Sequence, residues 1–522
     1  MYFDWILRGG WVIDGSGALP YRADVAITDT QIGDIGRLDD ARGVQELDVT
    51  GHYIVPGFID AHVHGDLMML ADTERVALAC LRQGVTTLIN GQDGSAFAPA
   101  SPPVMDHMRR YTVGFNGNPP NLNYNWSGYD DYFQRFLRTT PLNMAYLIPN
   151  GNVRMEVMGL AERKPSGDEL NQMKTLVREG MDAGSVGLST GLDYIPSLYA
   201  DADELAELCK EIRNAGGVYV THMRGYGPKA EIGMKEVFEI CRKSDCPGHI
   251  SHYNGPADVL LRLIDQGRAE GLDLTFDTYP YLRGSTILAM VALPGWVQLG
   301  GVDATMERLS DKKVVDQLER EWFNTGTPYP LETTTIAMVE HPDWLWTTGK
   351  TVTEAAAIAG TTPGRLTCEI LVANKMAVGI VGYRAGDRTE ADMRAILRHP
   401  AHMAGSDGIY RGQHPHPRGW GAFVRFLSLH TRELADYDWA EAITHLSAHA
   451  ARRYRLTDRG LIRTGFAADI AVFDPLTVQD HATYENPTAL ATGVPHVWVN
   501  GTCVLKHGEL TGLNSGRVLR RG

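Results

Sequence analysis

Short apolar runs alternate with amphipathic stretches through the middle of the chain, and this alternation constrains the fold more than any other feature. Residues 85–89, 144–148 and 217–220 have the length and character of buried strands. Between such runs, residues 168–183 and 201–215 carry apolar side chains at helical spacing. Repeated strand–helix units over this length predict an α/β fold. A (β/α)8 TIM barrel is favoured over an open sheet because the polar motifs described below all follow strand ends.

The two ends of the chain share a sequence pattern that differs from the pattern in the middle. Residues 1–55 read as strands broken by tight turns, and residues 455–522 have the same character. We therefore expect a small β-sandwich domain built from both termini, with the barrel spanning 56–454. Between about 288 and 346 the alternation fails while Trp and Pro cluster, which indicates a subdomain inserted into the barrel.

The charge balance and the cysteines narrow the classes of partner and compartment. The chain has 49 Lys and Arg against 63 Asp and Glu, a net charge of −14, and such an acidic chain repels a phosphate backbone, so we expect no nucleic-acid partner. The sequence contains no run of the about 18 apolar residues that a membrane span needs, so we expect no membrane partner. The six cysteines are scattered and form no CxxC pair, which is typical of reduced thiols in the cytoplasm.

The sharpest local motif is the segment 56–66, which contains His62 and His64 at the end of an apolar run. In a strand, a spacing of two points both imidazoles to the same face, so both can bind one metal ion. Two unrelated surface histidines are the alternative for an isolated pair. Here the pair follows a Pro-Gly turn at a strand end, and further candidate ligands come later in the chain.

Four more candidate ligands follow later predicted strands: Asp93, His222, His252 and Asp407. The carboxyl ends of barrel strands converge on one mouth, so we expect these four side chains to meet the histidine pair there. Asp93 precedes a glycine, and an Asp-Gly pair that only forms a turn is the alternative at that position. His249 lies three residues before His252, faces the other way on a strand, and is interpreted as structural.

Taken together, the motifs identify a family resemblance. The sequence resembles the amidohydrolase superfamily and, within it, the N-acyl-D-amino-acid deacylase (D-aminoacylase) group. The matching segments run nearly from end to end: 56–66, 184–194, 221–224, 250–252, 277–286, 405–408, 416–418 and 458–469. The resemblance implies a metal-centred (β/α)8 barrel with a β-sandwich built from both termini, which agrees with the interpretation of the alternation above.

The resemblance also implies roles for the candidate ligands. It places His62 and His64 on one metal position and His222 and His252 on a second, with Asp407 as the catalytic aspartate that also faces the metal. The implied cofactor is Zn²⁺, as one or two ions.

One ligand position departs from the family pattern. The family places a bridging cysteine where this chain has Asp93, in the segment Gly91-Gln-Asp-Gly. Thiolate is soft and favours zinc, whereas a carboxylate is harder and can bridge two ions, so Mn²⁺ or Fe²⁺ is admitted beside Zn²⁺. The barrel lysine that is carbamylated in other branches of the superfamily has no obvious counterpart here.

Five positions are predicted to contact the substrate. Tyr279, Ser285 and Arg418 match family residues that hold the scissile carbonyl region or the carboxylate of the substrate. Asn254 replaces a family lysine, and Arg283 stands where a small residue is usual. The alternatives are a surface salt bridge for Arg418 and a packed hydroxyl for Tyr279. Arg418 thus keeps one cationic anchor for a substrate carboxylate, whereas Asn254 removes the other.

We therefore predict a metal-dependent hydrolase of a C–N (amide) bond in a small molecule, an N-acyl-D-amino-acid deacylase or a close relative. Metal-activated hydroxide attacks the carbonyl, and Asp407 acts as general base and then as general acid toward the leaving nitrogen. The same site acting on a neutral, aryl or cyclic amide or on a carbamate is the alternative within enzymes. A homo-oligomer is left open.

Two alternatives belong to other functional classes. A non-catalytic amidohydrolase-like scaffold predicts missing ligands, yet all six positions carry competent side chains. The other alternative is a metal-independent serine hydrolase, because residues 187–191 match the G-x-S-x-G motif with Ser189 as the nucleophile. That motif needs a helix directly after the turn, and Pro196 interrupts a helix there.

Overall fold

The computed structural model describes residues 1–327, 329–383 and 388–522. In chain order its strands are β1 (Tyr2–Val12), β2 (Tyr21–Thr28), β3 (Gln31–Gly36), β4 (Arg42–Asp48), β5 (Tyr53–Pro56), β6 (Phe58–Asp60), β7 (Val63–His64), β8 (Val85–Asn90), β9 (Asn143–Pro149), β10 (Gly187–Gly191), β11 (Val218–His222), β12 (Gly248–Ile250), β13 (Leu274–Thr278), β14 (Gly284–Ile287), β15 (Thr335–Met338), β16 (Gly379–Gly382), β17 (His402–Ala404), β18 (Gly408–Ile409), β19 (Ile470–Phe473), β20 (His496–Val499), β21 (Thr502–Lys506) and β22 (Glu509–Leu510).

The α-helices are α1 (Met68–Ala71), α2 (Thr73–Leu81), α3 (Pro102–Tyr111), α4 (Val113–Asn116), α5 (Tyr129–Gln134), α6 (Asn150–Met158), α7 (Gly167–Asp182), α8 (Ala202–Asn214), α9 (Ala230–Ser244), α10 (Ala257–Ala269), α11 (Leu288–Ala292), α12 (Gly295–Gln298), α13 (Gly301–Ser310), α14 (Lys312–Glu321), α15 (Val352–Ala359), α16 (Pro363–Ala373), α17 (Glu390–Leu397), α18 (Arg418–Arg425), α19 (Trp439–Ile443) and α20 (His449–Arg453). Short 3-10 helices lie at Ser197–Tyr199, Gly227–Lys229, Phe323–Thr325 and Pro342–Thr347, and π-helical segments at Phe426–Glu433 and Thr444–Ala448.

Eight parallel strands form the central sheet, in the order β6-β8-β9-β10-β11-β12-β13-β17. The sheet is nearly closed, since the backbone N–H of Ala61, just after β6, donates to the carbonyl of Ala404 at the end of β17, at 3.1 Å. The predicted (β/α)8 barrel is confirmed. Parallel strands buried on both faces explain why the middle of the sequence reads as short, continuous apolar runs.

The helices between the strands form where apolar spacing and capping residues coincide. The predicted helix over 201–215 is α8, which begins after Asp201, whose side chain accepts the N–H of Glu204 at 2.9 Å. Its Leu205, Leu208 and Ile212 lie on one face and are buried. The stretch 168–183 likewise forms α7, which starts at a reciprocal capping box between Ser166 and Glu169.

Strands from both ends of the chain pair in one nine-stranded sheet, in which β1–β5 and β19–β22 take part. The connection between the ends is the antiparallel pair of β5 and β19, with Val55 opposite Ala471. Trp5 from the first strand packs edge-to-face on Trp498 from β20, with the ring centroids 5.4 Å apart. The boundaries at residues 55 and 455, and the sandwich arrangement, stay predictions.

The segment between β13 and β17 interrupts the strand–helix alternation. It carries the antiparallel sheet β14-β16-β15, and its helices pack around an apolar cluster that includes Leu288, Ile336 and Ile380. The predicted inserted subdomain, at about 288–346, lies inside this segment. The segment extends beyond the predicted end at about 346, because its strand β16 begins at Gly379. This strand is four residues long, which is too short to leave a periodic signal in the sequence. Among the described helices, none combines the length and the apolar character needed to cross a membrane.

Candidate active site

The six predicted ligands meet at the carboxyl ends of the barrel strands. The short strands β7 and β18 pair in parallel, and the backbone N–H of Asp407 donates to the carbonyl of His62 at 2.7 Å. This pairing puts the Oδ1 atom of Asp407 3.3 Å from His64 Nε2 and 3.8 Å from His62 Nε2. The two histidines and the aspartate are buried and can hold a metal ion together.

Asp93 lies at the centre of the cluster and faces all four imidazoles. Its Oδ1 atom is 3.7 Å from the Nε2 atoms of both His62 and His252. Its Oδ2 atom is 3.6 Å from His64 Nε2 and 3.9 Å from His222 Nδ1. Each carboxylate oxygen therefore faces one histidine of each predicted pair, so the carboxylate lies between the two pairs.

The polar atoms of this cluster fit a divalent cation. Among the described residues, both ring nitrogens of His62 and the Oδ1 atom of Asp93 are buried without a hydrogen-bond partner. Buried polar atoms without a partner cost free energy, so such atoms facing one another fit a site for a positive ion. Imidazole nitrogens and carboxylate oxygens are donors that zinc accepts, and carboxylates also suit manganese.

The charges of the cluster favour the ionised form of both aspartates. Burial alone would raise the pKa of the Asp93 carboxyl, but the nearby His62 and His252 outweigh it and hold that pKa below its usual range. Burial likewise opposes ionisation of Asp407, and the Arg418 guanidinium outweighs it, so this pKa is also lowered. The two ionised carboxylates can offset the charge of a bound cation.

Ser189 supports the loop that carries Asp93. The residue lies on β10 and is fully buried. Its Oγ atom accepts the N–H of Gly94 at 3.0 Å, and its hydroxyl donates to the carbonyl of Gly91. The G-x-S-x-G motif is thus a barrel strand rather than a strand-to-helix elbow. The interpretation of Ser189 as an exposed nucleophile is wrong, because the barrel buries its side chain beneath the loop.

Two further carboxylates contact the predicted ligands and are absent from the sequence-based site. Asp277, at the end of β13, lies with its Oδ2 atom 3.6 Å from His62 Nδ1, and its Oδ1 atom accepts the backbone N–H of His252 at 2.8 Å. Asp193, just after β10, lies with its Oδ2 atom 3.2 Å from His222 Nε2. Asp277 lies at the end of a barrel strand and Asp193 just after one, and that position is a signal in the sequence that could have found them.

The cluster opens into a cavity of about 520 Å³. Tyr279, Ser285, Asn254 and Arg418 line this cavity, as predicted for residues that contact the substrate. Their roles toward a substrate remain predictions. The inserted segment supplies an apolar side of the cavity, formed by Met290, Val291, Leu293, Trp296 and Leu299.

Arg418 joins the predicted catalytic and substrate-binding residues. Its Nη2 atom lies 2.9 Å from the Oδ2 atom of Asp407, and its guanidinium lies over the ring of Tyr279, 4.6 Å from the centroid. The side chain is fully buried, so the alternative of a surface salt bridge is wrong. Among the described residues, its Nε and Nη1 atoms have no hydrogen-bond partner.

Arg283 is not among the residues that line this cavity, and its contact with the substrate stays a prediction. Its guanidinium lies over the ring of Tyr484, 4.4 Å from the centroid, and 5.2 Å from that of Tyr383. It borders a separate, smaller cavity together with His414 and Glu485. The aromatic ring that the C-terminal part of the chain presents attracts the cation away from the barrel mouth.

Comparisons with known proteins cover nearly the whole chain. The model of the amidohydrolase family matches residues 45–505. The chain is 32% identical to the D-aminoacylase of Alcaligenes xylosoxydans xylosoxydans over 536 residues, or 99% of this chain and 98% of the relative. It is 33% identical to the N-acyl-D-glutamate deacylase of the same organism over 528 residues, or 99% of this chain and 96% of the relative.

A solved structure gives the same result. The N-acyl-D-glutamate deacylase from Bordetella bronchiseptica, complexed with zinc and a phosphonate inhibitor, superposes with a TM-score of 0.84 at 28% identity and covers 100% of both chains. The predicted resemblance is confirmed. The chain belongs to the amidohydrolase family and, like the deacylases it resembles, is a hydrolytic enzyme that acts on amide bonds.

Proposed function

We propose that this enzyme is a metal-dependent deacylase that hydrolyses the amide bond of N-acyl-D-amino acids. The observation that carries the proposal is the contact between Arg418 and Asp407. It sets a guanidinium suited to a substrate carboxylate directly beside the aspartate of the candidate metal cluster. The names of the similar D-aminoacylase and N-acyl-D-glutamate deacylase support the same substrate class.

The proposed cofactor is Zn²⁺, as one or two ions. His62 and His64 would hold one position and His222 and His252 the other, with Asp93 between them. Zinc in the similar N-acyl-D-glutamate deacylase supports this choice, and the Asp93 carboxylate also admits Mn²⁺ or Fe²⁺. A divalent cation held by these residues supplies Lewis acidity and a water of lowered pKa.

The side chains around it have distinct proposed tasks. The ionised carboxylate of Asp407 accepts a proton from the attacking water through Oδ1 and delivers it to the leaving nitrogen. Its Oδ2 atom stays with Arg418, which fixes the orientation of the carboxylate. Arg418 holds the substrate carboxylate, while Tyr279 and Ser285 contact the scissile carbonyl region.

The test is hydrolysis of N-acetyl-D-leucine against N-acetyl-L-leucine by the purified, metal-loaded enzyme, with released leucine measured. We expect turnover of the D-enantiomer and little or none of the L-enantiomer. The double variant His62→Ala/His64→Ala, with its fold checked by circular dichroism, should lose both metal and turnover. Hydrolysis of cyclic amides, aryl amides or carbamates with no action on either enantiomer would overturn the proposal in favour of the alternative substrates.

The compartment and the domain boundaries are further proposals. All six cysteines are free and buried, which supports a reducing, cytoplasmic compartment. The domain boundaries 1–55, 56–454 with its insert, and 455–522 are proposed on the sequence patterns alone, and a homo-oligomer is left open.

A further inference from the structure

Charged side chains are distributed unevenly around the cavity. Among the described residues that line it, Arg418 is the one arginine, and none is a lysine. The charged residues there that are not proposed metal ligands include two carboxylates, Glu162 and Asp193. Glu162 is exposed, and Asp193 is more than a third exposed. The cavity is thus poor in cations away from the metal cluster and acidic toward solvent.

Arg418 has capacity for one substrate carboxylate. Its Nη2 atom already contacts Asp407 at 2.9 Å and the carbonyl of Ser285 at 3.3 Å. The buried donors that remain are Nε and Nη1, which have no partner among the described residues. With the two N–H donors of Nη2 engaged, the three on Nε and Nη1 can bind one further carboxylate. A second carboxylate in the cavity would lose its hydration without gaining a cation.

The side of the cavity formed by the inserted segment suits an uncharged group. The stretch between β14 and α13 supplies Met290, Val291, Leu293, Trp296 and Leu299, and Ile195 and Leu198 also line the cavity. Removing water from these side chains is favourable when an apolar or neutral group covers them. Covering them with a carboxylate is unfavourable.

We infer that this enzyme takes N-acyl-D-amino acids that carry a single carboxylate and rejects N-acyl-D-glutamate and N-acyl-D-aspartate, whose side chains carry a second one. The inference rests on the proposed function and deepens it. Overall identity does not separate these substrates, since the chain is 32% identical to the D-aminoacylase and 33% identical to the N-acyl-D-glutamate deacylase. The charges of the cavity separate them.

The primary test compares two substrates of nearly equal shape, N-acetyl-D-glutamine and N-acetyl-D-glutamate, with N-acetyl-D-leucine as the apolar reference. We expect kcat/KM to be at least about tenfold higher for the glutamine substrate than for the glutamate substrate, because the site repels the extra charge. The leucine substrate should be at least as good as the glutamine substrate. Equal or faster turnover of N-acetyl-D-glutamate would overturn the inference while leaving the proposed function intact. No turnover of any of the three would overturn both.

A pair of variants tests the cause. Met290 is half-buried in the apolar lining, so Met290→Lys adds a cation there and Met290→Gln serves as an uncharged control of similar length. We expect the lysine variant to reduce the glutamine-to-glutamate preference about fivefold or more, and the glutamine variant to leave it within about twofold of wild type. The same preference in both variants would show that charge in this lining does not set the specificity.

Discussion

The Oδ2 atom of Asp277 lies 3.6 Å from the Nδ1 atom of His62 and accepts a hydrogen bond from His249 Nε2 at 2.9 Å. The other oxygen of the same carboxylate accepts the backbone N–H of His252. One buried aspartate therefore contacts a residue from each of the two predicted metal positions. Such outer carboxylates fix the orientation and the tautomer of a ligating imidazole.

We expect Asp277→Asn to weaken metal binding and activity about 10- to 100-fold, because the amide cannot supply the negative charge that orients His62. Metal content after dialysis against a graded series of chelator concentrations measures the first effect, and kcat/KM the second. Asp273→Asn is the matched control, since Asp273 precedes the same strand and its side chain is 69% exposed. Wild-type metal affinity in Asp277→Asn would show that the contact is structural only.

Asp407→Asn should retain most of the bound metal and lose about 10²- to 10⁴-fold in kcat, because an amide cannot accept the proton of the attacking water. Metal analysis and steady-state kinetics on the same sample separate the two effects. A parallel loss of metal and activity would instead identify Asp407 as mainly a ligand.

Substitutions of Asp93 test the bridging carboxylate. Asp93→Asn should weaken metal binding, because one negative charge leaves a site with four neutral imidazoles. Asp93→Cys should restore zinc binding and reduce tolerance for manganese, since thiolate suits zinc better than harder ions. Metal content and activity of both variants with each metal decide the matter. If Asp93→Asn binds both metals as tightly as wild type, Asp93 is only a turn residue.

Ser189→Ala should remain an active hydrolase and lose about 1–3 kcal/mol of stability, because the loop groups at Gly91 and Gly94 lose their buried partner. The melting temperature and kcat/KM of the variant measure these effects, and a serine-directed fluorophosphonate should leave the wild type unlabelled. Stoichiometric labelling with loss of activity would return Ser189 to the role of nucleophile.

Acid should destabilise the fold partly through His402. This side chain is fully buried on β17, and burial lowers its pKa to about 3. In the unfolded chain the pKa of this side chain is about 6.5, so below that pH the unfolded chain binds a proton here and the folded chain does not. The free energy of unfolding therefore falls as the pH drops from about 6.5 toward 3. His402→Gln should show a smaller drop in melting temperature between pH 7.5 and 5.5 than wild type. An equal drop in both proteins would exclude His402 as a contributor.

The parts of the site that the sequence predicts are those fixed by local spacing. His62 and His64 share a strand face because they are two residues apart, and Asp407 reaches them because its strand end converges on the same mouth. These relationships follow from the barrel alone. The helix α8 could be predicted for the same reason, since its cap at Asp201 and its apolar spacing are both local.

The parts that the sequence misses depend on contacts between distant segments. Arg283 lies over the ring of Tyr484, two hundred residues later in the chain. Asp193 and Asp277 contact histidines that follow other strands, and neither has a spacing that marks it. Such contacts become visible only once the strands lie side by side.

The closure of the barrel has a consequence for how the protein is made. The strand that leads to His62 leaves the ribosome well before β17, so its closing contact, from Ala61 to Ala404, waits until the residues between them are translated. The pairing of β5 with β19 waits longer still. At about 5–20 residues per second, the ligand-bearing segment stays without these partners for tens of seconds. During nascent-chain synthesis the histidine pair is therefore exposed to chaperones and to free metal ions long before the site that confers selectivity exists.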